Sequence, residues 1–287
     1  MSLRTKGSRF MSENLDFRKR VAAALARIDN GPLVFRTDEV WTYEEIYRYV
    51  ETYAYEKELF NTALALPLVR AGYDGLYRGK INDAEGNPRP LPFVYHCLFV
   101  CRMLIDLHVP LESGEEDILC AAALTHELIG HVLSEAHEHD IVSVYGLDER
   151  VYETVKTMAS RDYTTEEDHL AFYRGMREHG DKLAMLVKLT DCSSVVERLG
   201  DASIWRAKGY IYQTRTYYLP MCVYAKERFP ELLPVMNILM EKMRSLVEAT
   251  EILVTRYEER SMELRNELLA LRDENARIRG ILRTVVK

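Results

Sequence analysis

Apolar residues recur every three or four positions along most of this chain, the spacing that gives a helix one buried face. Residues 16–28 (DFRKRVAAALARI) make a short amphipathic segment. Residues 42–70 hold one or two helices, opened by a capping box at Thr42 and Glu45. Residues 93–108 (FVYHCLFVCRMLIDLH) are apolar nearly all round, which predicts a central helix. A helix is expected over 114–137, with Ser113 and Glu116 as a second capping box, and further helices over 148–160, 165–179, 181–199, 203–228 and 230–245. Glycine and proline concentrate in RAGYDGLYRGKINDAEGNPRPLP (70–92), which reads as a loop, and strand-like alternation is hard to find elsewhere. The expected fold class is all-α.

The pattern changes near residue 246. Val247, Thr250, Val254, Tyr257, Ser261, Leu264, Leu268, Leu271, Asn275, Ile278 and Leu282 alternate spacings of three and four, which is a heptad seam. Leu264, Leu271 and Ile278 take position d and Asn275 takes position a. A long C-terminal coiled-coil helix is expected, and with it a homodimer, parallel by preference. The expected division is an N-terminal extension with a short helix (1–40), a helical domain (41–245) and the coiled-coil helix (246–287).

Composition removes several function classes. The net charge of −7 argues against nucleic acid as the main partner, without excluding a local basic pocket for an anionic small molecule. No apolar run reaches the roughly 18–20 residues of a membrane span, so no membrane partner is expected. The five cysteines, Cys97, Cys101, Cys120, Cys192 and Cys222, form no C-x-x-C pair and sit in apolar contexts. Buried reduced thiols are the expectation, and a cytoplasmic location follows. MSLRTKGSRFMSENLDF at the N-terminus has no apolar signal core, and Met11 offers an alternative start.

Candidate chemistry lies in LTHELIGHVLSEAHEHD (124–140). His126 and His131 are five residues apart, roughly 140° around a helix, so the zinc-protease pattern with its four-residue spacing fails. Single polar residues also interrupt apolar helices elsewhere: His96 in PFVYHCLFVC and Asp191 in LAMLVKLTDCSSVV. Burying several such groups without partners is unfavourable, and one divalent cation would satisfy them together. His and carboxylate ligands suit zinc, manganese or iron.

Four segments, in order, resemble the hydrolase half of the RelA/SpoT alarmone enzymes, a branch of the HD superfamily of metal phosphohydrolases. YDGLYRGKINDAEGNPRPLPFVYH resembles that family's basic loop running into Pro-Tyr-x-x-His. AAALTHELIGHV resembles its Ala-Leu-Leu-His-Asp segment. MASRDYTTEEDHL resembles the stretch ahead of its next helix, and LAMLVKLTDCSSVVERL resembles its Lys-Leu-Ala-Asp-Arg-Leu-His-Asn. The resemblance spans about 55–225 and implies an HD-domain helical bundle. It implies that His96, His126, Glu127 and Asp191 bind one divalent metal, Mn2+ in the family, with Zn2+, Fe2+ or Mg2+ as substitutes. It places Arg78, Lys80 and Tyr218 beside a nucleotide substrate. The implied reaction removes the 3′-pyrophosphate from guanosine tetra- or pentaphosphate.

The departures concentrate in the groups that handle protons. Glu127 stands where the family has Asp, Gly130-His131 replace its Glu-Asp pair, Val195 replaces its Asn, Leu76 replaces its loop Gln, and Gly79 splits its Arg-Lys pair. On a continuous helix His131 would share a face with Glu127, four residues earlier, and could act as general acid or base with it. Two other readings stay open: a domain that binds nucleotide or metal without turnover, as a sensor or dimeric scaffold, and a hydrolase for another phosphate ester. The EAHEHD segment reads as the solvated end of its helix.

Overall fold

The computed structural model describes residues 42–82, 88–129, 132–159, 165–199 and 202–285, with side chains described outside 78–90, 135 and 274–285. The segment 16–28 and the N-terminal extension lie outside the described residues. The chain is all-α, with one short hairpin. Its elements are α1 (Tyr43–Glu56), α2 (Phe60–Gly72), β1 (Tyr77–Asn82), β2 (Pro88–Pro92), α3 (Phe93–Asp106), α4 (Glu115–Thr125), a one-turn α5 (Asp140–Ser143), α6 (Glu149–Met158), α7 (Glu166–His179), α8 (Lys182–Glu197), α9 (Ile204–Gln213), α10 (Leu219–Arg228) and α11 (Leu233–Val285). Among the described residues no helix is long and apolar enough to cross a membrane.

Two compact units divide the chain. The first holds the described residues up to Arg198 together with Tyr212–Arg244. The second holds Leu199–Ile211 and the chain from Ser245 onward. In the second, Lys208 on α9 bonds Glu258 on α11 at 2.5 Å.

In the first unit α3, α4 and α8 pack on one another, with α1 against α3, α2 against α4, and α6 against both α4 and α8. The apolar pattern explains the arrangement. Cys97, Leu98, Val100 and Cys101 on α3, residues Leu119 to Leu124 on α4, and Leu183 to Val187 on α8 are all buried. Helices apolar on every side belong at the centre. All five cysteines are buried and none is in a disulfide, as expected.

Caps fix the helix starts. Thr42 and Glu45 form the predicted capping box, Thr42 Oγ1 accepting from Glu45 N and the Glu45 carboxylate accepting from Thr42 N. The box expected at Ser113 and Glu116 does not form. α4 instead starts after Gly114, whose φ of 82° is in the left-handed region that favours glycine. α2 has no cap from its own flank; Asp117 of α4 supplies one, accepting from Asn61 N at 2.9 Å and Thr62 N at 2.8 Å.

Three further expectations are corrected. The 70–92 loop contains an antiparallel hairpin, Lys80 opposite Pro90 and Ile81 opposite Arg89, with an irregularity between Tyr77 and Lys80. Prolines at 88, 90 and 92 hid it from the pattern. They remove donors along one edge of β2, which a two-stranded ladder tolerates. The separate 230–245 helix and the C-terminal tail are one helix, α11. The helix expected over 114–137 ends at Thr125, and turns follow. Thr125 Oγ1 bonds back to Ala121 O at 2.8 Å at this last turn. Leu128 N then bonds Thr125 O, three residues back, tightening the chain out of the α register.

Candidate metal centre

His126 and Glu127 follow the last residue of α4, in a turn, and both side chains are buried. Across from them α3 contributes His96 and α8 contributes Asp191, also buried. His96 Nε2 is 3.0 Å from Asp191 Oδ1 and 3.6 Å from Glu127 Oε1. His126 Nε2 is 3.8 Å from Glu127 Oε1 and 4.0 Å from Asp191 Oδ1. The two imidazoles meet edge to face, with centroids 5.3 Å apart.

The outer ring nitrogens fix the tautomers. His126 Nδ1 is 2.7 Å from Ala123 O, and a carbonyl can only accept, so Nδ1 carries the proton. Nε2 of a neutral His126 therefore turns a lone pair toward the carboxylates. Ser194 Oγ donates to Asp191 O at 2.8 Å, which leaves it as acceptor for His96 Nδ1 at 3.5 Å. This is the outer-shell support that orients metal-ligating histidines.

Metal–nitrogen and metal–oxygen bonds of about 2.0–2.2 Å put neighbouring ligand atoms roughly 3.0–3.5 Å apart. Of the four approaches the shortest, 3.0 Å, falls in that range and the others, 3.6–4.0 Å, lie beyond it. Ligand atoms of His96, His126 and Glu127 all lie within 4.8 Å of one another. His126 Nε2 is buried with no hydrogen-bond partner among the described residues and faces Asp191 Oδ1 at 4.0 Å, while the His96 imidazole lies within hydrogen-bonding reach of that oxygen at 3.0 Å. Lone pairs that face each other in the interior are unfavourable until a cation or a proton lies between them. The donor set fits a divalent metal.

Burial acts to raise the Asp191 pKa, but the ammonium of Lys188 and then the two imidazoles outweigh it and hold the carboxyl well below the usual range. Lys188 Nζ lies 3.2 Å from Asp191 Oδ2. One carboxylate oxygen thus faces lysine and the other faces the histidines.

A scan of the sequence against models of known protein families finds no match, and neither does a search of curated proteins. The reading of the site rests on its own geometry.

Of the sequence candidates, His96, His126, Glu127 and Asp191 come together. Tyr218 sits in a π-helical turn, Thr214–Tyr218, buried, its hydroxyl donating to Gln213 Oε1 at 2.8 Å. Its hydroxyl and that of Tyr173 also reach the Cys192 thiol, next in sequence to Asp191; burial, the dominant effect, pushes that thiol up to about 12. Arg78 and Lys80 lie on β1, whose partner β2 runs directly into α3, four residues before His96. Their side chains lie outside those described, as does the whole of His131. Residues 126–129 form a turn and a bridge rather than α-helix, so Glu127 does not present the helical face on which a pairing with His131 was expected. In EAHEHD, His137 pairs with Asp140 and His139 with Glu149 at the surface, but Glu138 is buried rather than solvated.

Sequence reasoning missed Lys188, Ser194 and the Ala123 carbonyl as supports of the site. Lys188 stands three residues before Asp191, one helical turn, which was a readable signal.

Proposed function

We propose that this protein is a metal-dependent phosphohydrolase whose substrate is a nucleotide pyrophosphate of the guanosine tetraphosphate type. The observation that carries the reading is the convergence of the His96 and His126 Nε2 atoms with the Glu127 and Asp191 carboxylates, from α3, the turn after α4 and α8, in a buried site where His126 Nε2 has no hydrogen-bond partner among the described residues. His96, His126, Glu127 and Asp191 hold the metal. A divalent ion bound there, Mn2+ by the family resemblance, supplies an activated water and polarises a phosphoryl oxygen. Ala123 and Ser194 keep both imidazoles in the ligating tautomer. Lys188 keeps Asp191 ionised and turned so that one oxygen faces the metal. Arg78 and Lys80 neutralise the substrate phosphates and Tyr218 borders the nucleotide.

The test is release of pyrophosphate from guanosine tetraphosphate by the purified chain with manganese. The expected result is turnover that disappears in His126→Ala and Asp191→Ala. Equal activity in either variant refutes the site. A second reading, binding without turnover, is favoured by Gly130-His131 in place of the acidic pair. Nucleotide binding by calorimetry with no pyrophosphate released would establish it, and turnover of a simple aryl phosphate alone would move the substrate to another ester.

A further inference from the structure

Every described side chain from Thr255 to Asp273 on α11 is exposed, although the stretch carries a regular apolar seam. Leu264, Leu268 and Leu271 are 49%, 51% and 62% exposed, and Tyr257 and Met262 are exposed beside them. An isolated helix in water is marginal, and its stability in proteins comes from packing an apolar face. A leucine seam of this length left in solvent marks an interaction surface. Its partner must offer a matching seam.

We infer that this surface pairs with the same stretch of a second copy, in a parallel, in-register, two-stranded coiled coil. The charges beside the seam select this occupant and this orientation. With Leu264 and Leu271 at d, the e positions are Arg265, Arg272 and Arg279, and the g positions include Glu267 and Glu274. In a parallel pair each g residue faces the e residue five positions on in its partner, so Glu267 meets Arg272 and Glu274 meets Arg279. In an antiparallel pair e faces e and g faces g. Arginines would then oppose arginines, and glutamates would oppose glutamates.

One parallel pair, Arg260 with Arg265, is like-charged. Glu263 on the same helix offsets it, its Oε2 3.0 Å from Arg260 Nη1. Position a gives the same answer. Asn275 is polar between two leucines of the same register, Leu268 and Leu282, and only in a parallel, in-register pair does it meet its own copy, the arrangement that limits such a coil to two strands. The inference does not depend on the metal centre, because every residue it uses lies in the second unit.

The test uses the full chain in sedimentation velocity. The expected mass is twice 33.3 kDa. A monomer, from a seam covered by residues of the same chain, overturns the inference, and so does a trimer or larger species. Leu264→Glu with Leu271→Glu is expected to give a folded monomer, with unchanged helical signal from the first unit. A dimer that survives this change overturns the assignment of the seam. Glu267→Arg is expected to raise the dissociation constant about tenfold, and adding Arg272→Glu to restore it, since the pair is then reversed rather than broken. No recovery overturns the g–e pairing. Orientation is read with Leu268→Cys, which a parallel in-register dimer joins by a disulfide on mild oxidation. A dimer that does not cross-link at this position is antiparallel or shifted, and contradicts the proposal.

Discussion

Replacing Lys188 with methionine keeps most of the side-chain volume and removes the charge 3.2 Å from Asp191 Oδ2. The two side chains are 16% and 10% exposed, so water offsets little of the loss. At an effective dielectric near 20 the gross attraction at this distance is about 5 kcal/mol. Desolvation cancels part of it, and breaking such a buried pair from one side leaves a net loss of about 3 kcal/mol. This applies to the metal-free chain. With metal bound, the cation beside Oδ1 supplies the counter-charge that lysine gave, so the same substitution removes less. The melting temperature of Lys188→Met should therefore fall about 6 °C below wild type in chelator, and most of that gap should close when manganese is added.

The pH dependence has a definite sign. Asp191 has a folded pKa below its unfolded value, so it contributes stability above the unfolded pKa, near 3.9, and that contribution is lost as pH falls through the folded pKa. Without Lys188 burial acts with less opposition, so acid unfolding should begin at higher pH. Thermal melts of both proteins, with chelator and with manganese, give the four values needed. An equal loss in both conditions would mean that lysine and metal do not share Asp191, and would refute the reasoning.

Ser194→Ala removes the acceptor for His96 Nδ1 and should weaken metal binding about tenfold by calorimetric titration, while the fold is retained. Asp117→Ala deletes the cap of α2 and its bonds to Asn61 and Thr62, and should cost about 2–3 kcal/mol in urea unfolding, with no effect on metal affinity. Gly114→Ala places a side chain at φ 82° in open space, so only backbone strain opposes it, and a loss of about 1 kcal/mol is expected in the same assay.

The fold class could be read from the sequence because helical periodicity is a local property of nearly every segment. The Thr42–Glu45 cap was readable for the same reason, since its signal and its partner lie within one turn. The hairpin was not, because its strands carry alternating prolines and almost no apolar alternation. The end of α4 was not readable either. Thr125 allows a helix, and its back-bonded hydroxyl is no stop signal, since Thr250 makes the same contact inside the continuous α11. The metal-ligand candidates were visible as polar residues misplaced in apolar helices. Their convergence was not visible, because the packing of α3, α4 and α8 that creates it joins segments far apart in the chain.

The central claim is that His96, His126, Glu127 and Asp191 grip one cation, and elemental analysis of the manganese-reconstituted, dialysed chain tests it most directly. About one metal ion per chain is expected for wild type, and close to none for a folded His96→Ala/Asp191→Ala double variant. No retained metal in wild type, or equal metal in the variant, would contradict the account.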